Sequence, residues 1–215
     1  MAGVTVTTVY ASTTDGDITS SNAVYLTARA GSGLVVSSAG TTFGMGQALP
    51  GGVANCFEGF VSFDTSAVPD TEPITAAVLS LWVVSKVLTA DFTIEARTSN
   101  WGASLDTGDW VAGASLSALT LLASVTASAT TNGAYNDLAE NGTNLQAAID
   151  VTATTWILLD SDRHVAGNVP LGGEKVTCSS ANEAGTTQDP KLVVTSTSSF
   201  NDSGMTSMAL VGVGH

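Results

Sequence analysis

Residues 57–83 read FEGFVSFDTSAVPDTEPITAAVLSLWV, and this stretch decides the fold. Phe57, Gly59, Val61 and Phe63 alternate with Glu58, Phe60 and Ser62, which is the period of a β-strand. Phe60 and Phe63 fall on opposite faces, so the strand is expected to be covered on both sides. Asp64 and Ser66 can bond nearby backbone amides and fix the turn that follows, and Pro69 stops the strand. After Pro73, residues 78–84 are nearly all apolar. Leu79, Leu81 and Val83 share one face; Val78, Trp82 and Val84 share the other. That pattern predicts a central strand, again with both faces covered.

The same period extends outward. Val4, Val6 and Thr8 alternate with Thr5 and Thr7 in an opening strand. Asp15-Gly16-Asp17 reads as a turn, Val24, Leu26 and Ala28 as a second strand, and residues 34–36 as a short third. Residues 37–54 are rich in Gly, Ser and Thr and predict a long loop with an edge strand near Phe43. Further strands are expected at Phe92, Ile94 and Ala96, at 119–125, at 156–159, at 175–179 with Val176 and Cys178 inward, and at 191–195 with Leu192 and Val194 inward. Residues 144–149 are the one expected helical turn, and 99–115 form a polar excursion carrying two tryptophans. The expected fold is all-β: a single jelly-roll β-sandwich of about nine to ten short antiparallel strands over residues 1–197, followed by an extended tail at 198–215.

Composition agrees with that pattern. Thirty Thr, 24 Ser and 22 Gly make up about a third of the 215 residues, a profile of strands and turns. A chain of this length can bury a core without staples, and 44% hydrophobic residues argue against disorder. Nineteen acidic and six basic residues give a net charge of −13. Six scattered cations cannot neutralise a phosphate track, so neither nucleic acid nor an anionic membrane is an expected partner. No apolar run approaches the roughly 20 residues of a membrane-spanning helix. The opening MAGVTVTTVY lacks a basic start and an apolar core, so no signal peptide is read there and synthesis in a cytoplasm is expected. The sequons at Asn141 and Asn201 would then go unused.

No catalytic constellation stands out, and no enzyme activity is expected. The histidines are His164 and His215. Asp160, Asp162 and His164 alternate in a way that suggests metal ligands, or equally a solvated turn. Asp106 and Asp109 sit too close together in a glycine-containing loop to suggest a glycosidase pair. Cys56 and Cys178 have no ligand-spaced partner and read as two free thiols or as one cross-strand disulfide. Trp82 and Trp156 lie in strands and are expected in the core. Trp101 and Trp110, with Asn100, Asp106 and Asp109 nearby, are either caps on the core or a platform for a ligand. A sugar's C–H face packs on such exposed rings.

Residues 57–83 resemble a segment of the disaggregatase-related (DNRLRE-type) carbohydrate-binding-module-like jelly-roll family, in which Phe-Asp-x-Ser-x-x-Pro precedes Ile-Thr-x-Ala-x-Leu-x-Leu. The stretch EKVTCSSANEAGTTQDPKLVVT at 174–195 resembles that family's closing hairpin. Residues 92–113, FTIEARTSNWGASLDTGDWVAG, are similar to a subgroup found in phage particles. The resemblance spans roughly residues 15–196 and its motifs fix turns and strands, not a reaction. It implies a jelly roll without catalysis, in a virion and decorating the outer capsid surface, with the major capsid protein or another virion protein as partner. The alternative it implies is a carbohydrate-binding module, free-standing or on a tail fibre, with glycans as ligand. No cofactor is expected. Jelly-roll sugar binders often hold a structural calcium, for which Asp15 and Asp17, or Asp106 and Asp109, are candidates here.

The tail beyond residue 197 carries Met205, Met208, Leu210, Val211 and Val213. Such an apolar stretch is a frayed terminus, a terminal strand of the same domain, or a contact with another subunit. The last reading leads to a homo-oligomer, with a trimer as the working guess.

Overall fold

In the computed structural model, which describes residues 3–198, twelve strands and three short helices follow one another. They are β1 (Gly3–Tyr10), β2 (Gly16–Asn22), α1 (Tyr25–Arg29), β3 (Val35–Ser37), β4 (Thr42–Ala48), β5 (Ala54–Asp64), β6 (Ile74–Leu88) and β7 (Thr93–Thr98). After these come β8 (Leu121–Thr126), β9 (Ala134–Glu140), α2 (Asn144–Ala148), β10 (Thr154–Ser161), α3 (Asp162–Ala166), β11 (Gly173–Ser179) and β12 (Lys191–Ser198). All pairings are antiparallel, in the order β1-β12-β6-β11-β4-β5-β10-β7-β8-β9. A further pairing of β9 with β6 closes this path into a barrel-like jelly-roll sandwich, which leaves few open edges.

β5 explains why residues 57–83 were so readable. Phe63 and Val61 point into the main core, among Phe43, Met45, Leu79 and Ile157. Phe60 points the other way, into a second core with Ile18, Trp101, Leu105, Leu116 and Leu158. The 99–115 excursion supplies Trp101 and Leu105, and Leu116 just beyond it completes the cover over the outer face of β5. Asp64 accepts a bond from the Ser66 amide at 3.2 Å and fixes the turn, as its position implied. α2 falls where the helical turn was expected.

Four expectations need correction. Residues 24–28 form α1, not a strand: Tyr25 and Ala28 share the buried helical face while Val24 and Leu26 are exposed. The second strand is instead β2, which starts within the expected turn and pairs with β5 along its full length. β4 is no edge strand in a loop. It is almost wholly buried and sits between β11 and β5. Its glycines disguised it: a Cβ on Gly44 would lie 2.3 Å from Lys175 Cε, and Gly46 has φ +111°. β6 has one covered face only, because Val78 and Trp82 are half-buried and Val84 is exposed. β9 was not expected at all.

Candidate functional site

A cluster of buried ionisable groups is built at the junction of β10 and α3. Asp160 is the next-to-last residue of β10. Ser161 then caps α3, its hydroxyl accepting the His164 amide at 3.1 Å, and Gly167 ends the helix in the left-handed region. This single turn brings His164 back over Asp160. The Asp160 Oδ2 accepts the His164 Nδ1–H at 2.8 Å, and both side chains are fully buried. Asp162, the third residue of the alternation, points away and accepts the Thr93 amide at 2.9 Å.

Its place is taken by Glu58, from the middle of β5. Ligand-type atoms of Glu58, Asp160 and His164 lie within 4.8 Å of one another. Glu58 Oε2 accepts the Val111 amide at 3.1 Å, while Glu58 Oε1 and His164 Nε2 are buried without a partner. Burial raises the Glu58 carboxyl well above the ordinary range, and the Asp160 charge pushes the same way. The sequence offered one signal for Glu58: an acid in the middle of a strand, set between Phe57 and Phe60.

The walls of this cluster are specific. Arg29, at the end of α1, donates from Nε to the His164 carbonyl at 2.7 Å and from Nη2 to the Val165 carbonyl at 2.5 Å. The Trp110 ring packs 5.7 Å from the imidazole. Gly113 closes the remaining side, where a Cβ would come within 2.8 Å of His164 Nε2. Beneath lie Tyr25, whose hydroxyl donates to Gln47 Oε1 at 2.9 Å, and Cys56, whose thiol burial pushes up to about 12. Cys56 and Cys178 are both buried and free, in different core clusters, so the disulfide does not form.

The aromatic platform read from the sequence is largely internal. Trp101 is 4% exposed, wedged edge-on between Phe60 and Trp156 with ring centroids 6.1 and 4.4 Å away. Trp110 is half-buried against His164. Asp106 and Asp109 form a capping box: Asp106 Oδ1 accepts the Gly108 amide at 2.6 Å, and Asp109 Oδ2 accepts the Asp106 amide at 2.7 Å. They hold a surface turn and do not join the tryptophans in a site. Trp82 and Trp156 are half-buried, not core. Trp156 lines an open cleft of about 300 Å³ with Ser12, Thr14, Ser62, Asp64 and Thr154.

Asp15 and Asp17 do not converge. Asp15 accepts the Ala181 amide at 2.8 Å, whereas Asp17 accepts the Gly44 amide at 2.6 Å and faces Lys175. Met205, Met208, Leu210, Val211 and Val213 lie outside the described residues. No protein-family model matches this chain, and no curated protein matches it either.

Proposed function

We propose that the chain is a non-enzymatic structural protein of a phage particle, a jelly roll that decorates the outer capsid surface. The observation that supports it best is the outer face of β1. Val4 and Val6 are 67% and 61% exposed, and Tyr10 lies on the same face. Among the described residues β1 pairs only with β12, so this apolar row borders a free edge. Gly3 pairs with Ser198, so both ends of the described chain lie together on the β1–β12 pair. Apolar rows next to open edges are where subunits join, usually around a rotation axis, and a trimer is our working assignment. The rest of the exterior, acidic and rich in hydroxyls, suits a particle surface. The test is peptide mass spectrometry of gradient-purified particles induced from the source organism. Peptides of this chain at a fixed ratio to the major capsid protein support the reading, and their absence from particles overturns it.

One observation favours carbohydrate binding as a second reading. The cleft beside Trp156 presents a ring backed by Trp101 and a ring of hydroxyls with one carboxylate, Asp64. That is the chemistry that grips a neutral sugar. A glycan array on wild type and Trp156→Ala tests it: binding lost in the variant supports the reading, and no glycan bound by the wild type ends it.

A further inference from the structure

Glu58 and Asp160 are two buried carboxylates that no cationic side chain neutralises. Among the described residues, neither forms an ion pair with Lys or Arg. Arg29 stands next to them but its Nε and Nη2 donate to the carbonyls of His164 and Val165, and Arg163 is paired with Glu174 at 2.7 Å. The cluster also leaves two buried polar atoms without a partner, Glu58 Oε1 and His164 Nε2. His164 Nδ1 and Asp160 Oδ2 stand 2.8 Å apart, close to the spacing of two ligands on one ion, and an ion that displaces the proton between them takes both. Buried polar atoms without partners are costly, and something must satisfy them.

We propose that Glu58, Asp160 and His164 bind one divalent transition-metal ion of the zinc class, captured as the chain folds. The donor set decides the class. Calcium takes six to eight oxygens, and magnesium keeps most of its waters, whereas a mixed set of imidazole and carboxylates suits zinc and its neighbours. The three ligand-type atoms already lie within 4.8 Å of one another, a span that one small ion closes with modest side-chain shifts. All three residues are 0% exposed, so the ion enters before β5 and β10 close over it and leaves slowly afterwards. The metal ties the middle of β5 to the β10–α3 junction, and because its three ligands are buried away from solvent no substrate reaches the fourth position, so its role is structural. This inference does not depend on the virion reading.

The experiment uses the full chain, unfolded in denaturant with chelator and refolded with Zn²⁺ or with EDTA. After desalting, metal content is read by mass spectrometry and stability by thermal melting. The zinc-refolded protein is expected to hold about one zinc per chain and to melt several degrees above the EDTA-refolded protein. Glu58→Gln and His164→Gln each lower occupancy at least about tenfold. Co²⁺ in place of Zn²⁺ gives visible absorption bands in the wild type alone. Zinc absent from the refolded wild type, with equal melting in both buffers, overturns the proposal and leaves a proton shared within the cluster. Zinc that persists in both variants also overturns it, as surface binding. If the variants do not fold, the two wild-type refolding arms decide by themselves.

Discussion

Asp160 and His164 are joined by a 2.8 Å hydrogen bond across the last residues of β10 and the first turn of α3, with no solvent on either side. The bond fixes which ring nitrogen carries the proton and locks α3 against the sandwich. Removing the carboxylate leaves a buried N–H without an acceptor, on a ring already unsatisfied at Nε2. Asp160→Ala is therefore expected to lower stability by about 2–4 kcal/mol. Urea unfolding at pH 7 measures it, and a loss under about 1 kcal/mol would show that the bond is incidental.

The strands that were legible in the sequence are those with a plain alternation or apolar run: β1, β3, β5, β6, β7, β8, β10, β11 and β12. The missed ones have physical reasons. β2 reads GDITSSN, and its polar residues are tolerated because hydroxyls find backbone partners, as Ser20 Oγ does at the Ala28 carbonyl, 2.6 Å away. β4 hid behind glycines needed for close approach. β9 reads AYNDLAE and buries little but Leu138. In α1, a period-2 impression from Val24 and Leu26 concealed a helix whose buried residues are Tyr25 and Ala28. Two of the three residues of the buried cluster were legible, since Asp160 and His164 are neighbours in sequence. Glu58 was not, because only the β5–β10 pairing, with Gly59 opposite Leu159, brings it there.

Asp15 makes stability pH-dependent. Burial raises its carboxyl to about 7, against the stabilising Ala181 amide, and the nearby Asp189 adds to the rise. The native state then holds a proton that the unfolded chain releases above about pH 4. The native state thus binds more protons through the window from about 4 to 7, and stability falls as pH rises across it, by a few kcal/mol in all. Asp15→Asn keeps an acceptor for the Ala181 amide and removes the titration. Thermal melting from pH 4 to 8 is expected to fall more steeply in the wild type than in the variant. Parallel curves would place the pH dependence elsewhere.

Trp101 supports structure, not a ligand directly. It fills the second core between Phe60 and Trp156. Trp101→Ala opens a cavity there and is expected to cost about 3–5 kcal/mol. Guanidinium unfolding monitored by circular dichroism reads this. A stability change below about 1 kcal/mol would mean that the ring is not packed as described.

Val4 and Val6 separate subunit contact from folding. Both project outward from β1, away from the core, so Val4→Lys with Val6→Lys should leave the monomer's stability within about 0.5 kcal/mol of wild type. If these side chains are buried between subunits, the double variant loses the burial of two valines and places charges in an apolar seam. The dissociation constant of the oligomer then rises at least about tenfold. Light scattering coupled to size exclusion, over a dilution series of the full chain, distinguishes the outcomes. A wild-type trimer that becomes a folded monomer in the variant places the seam on β1. An oligomer unmoved by both lysines places it on another surface and removes the main support for β1 as the assembly edge.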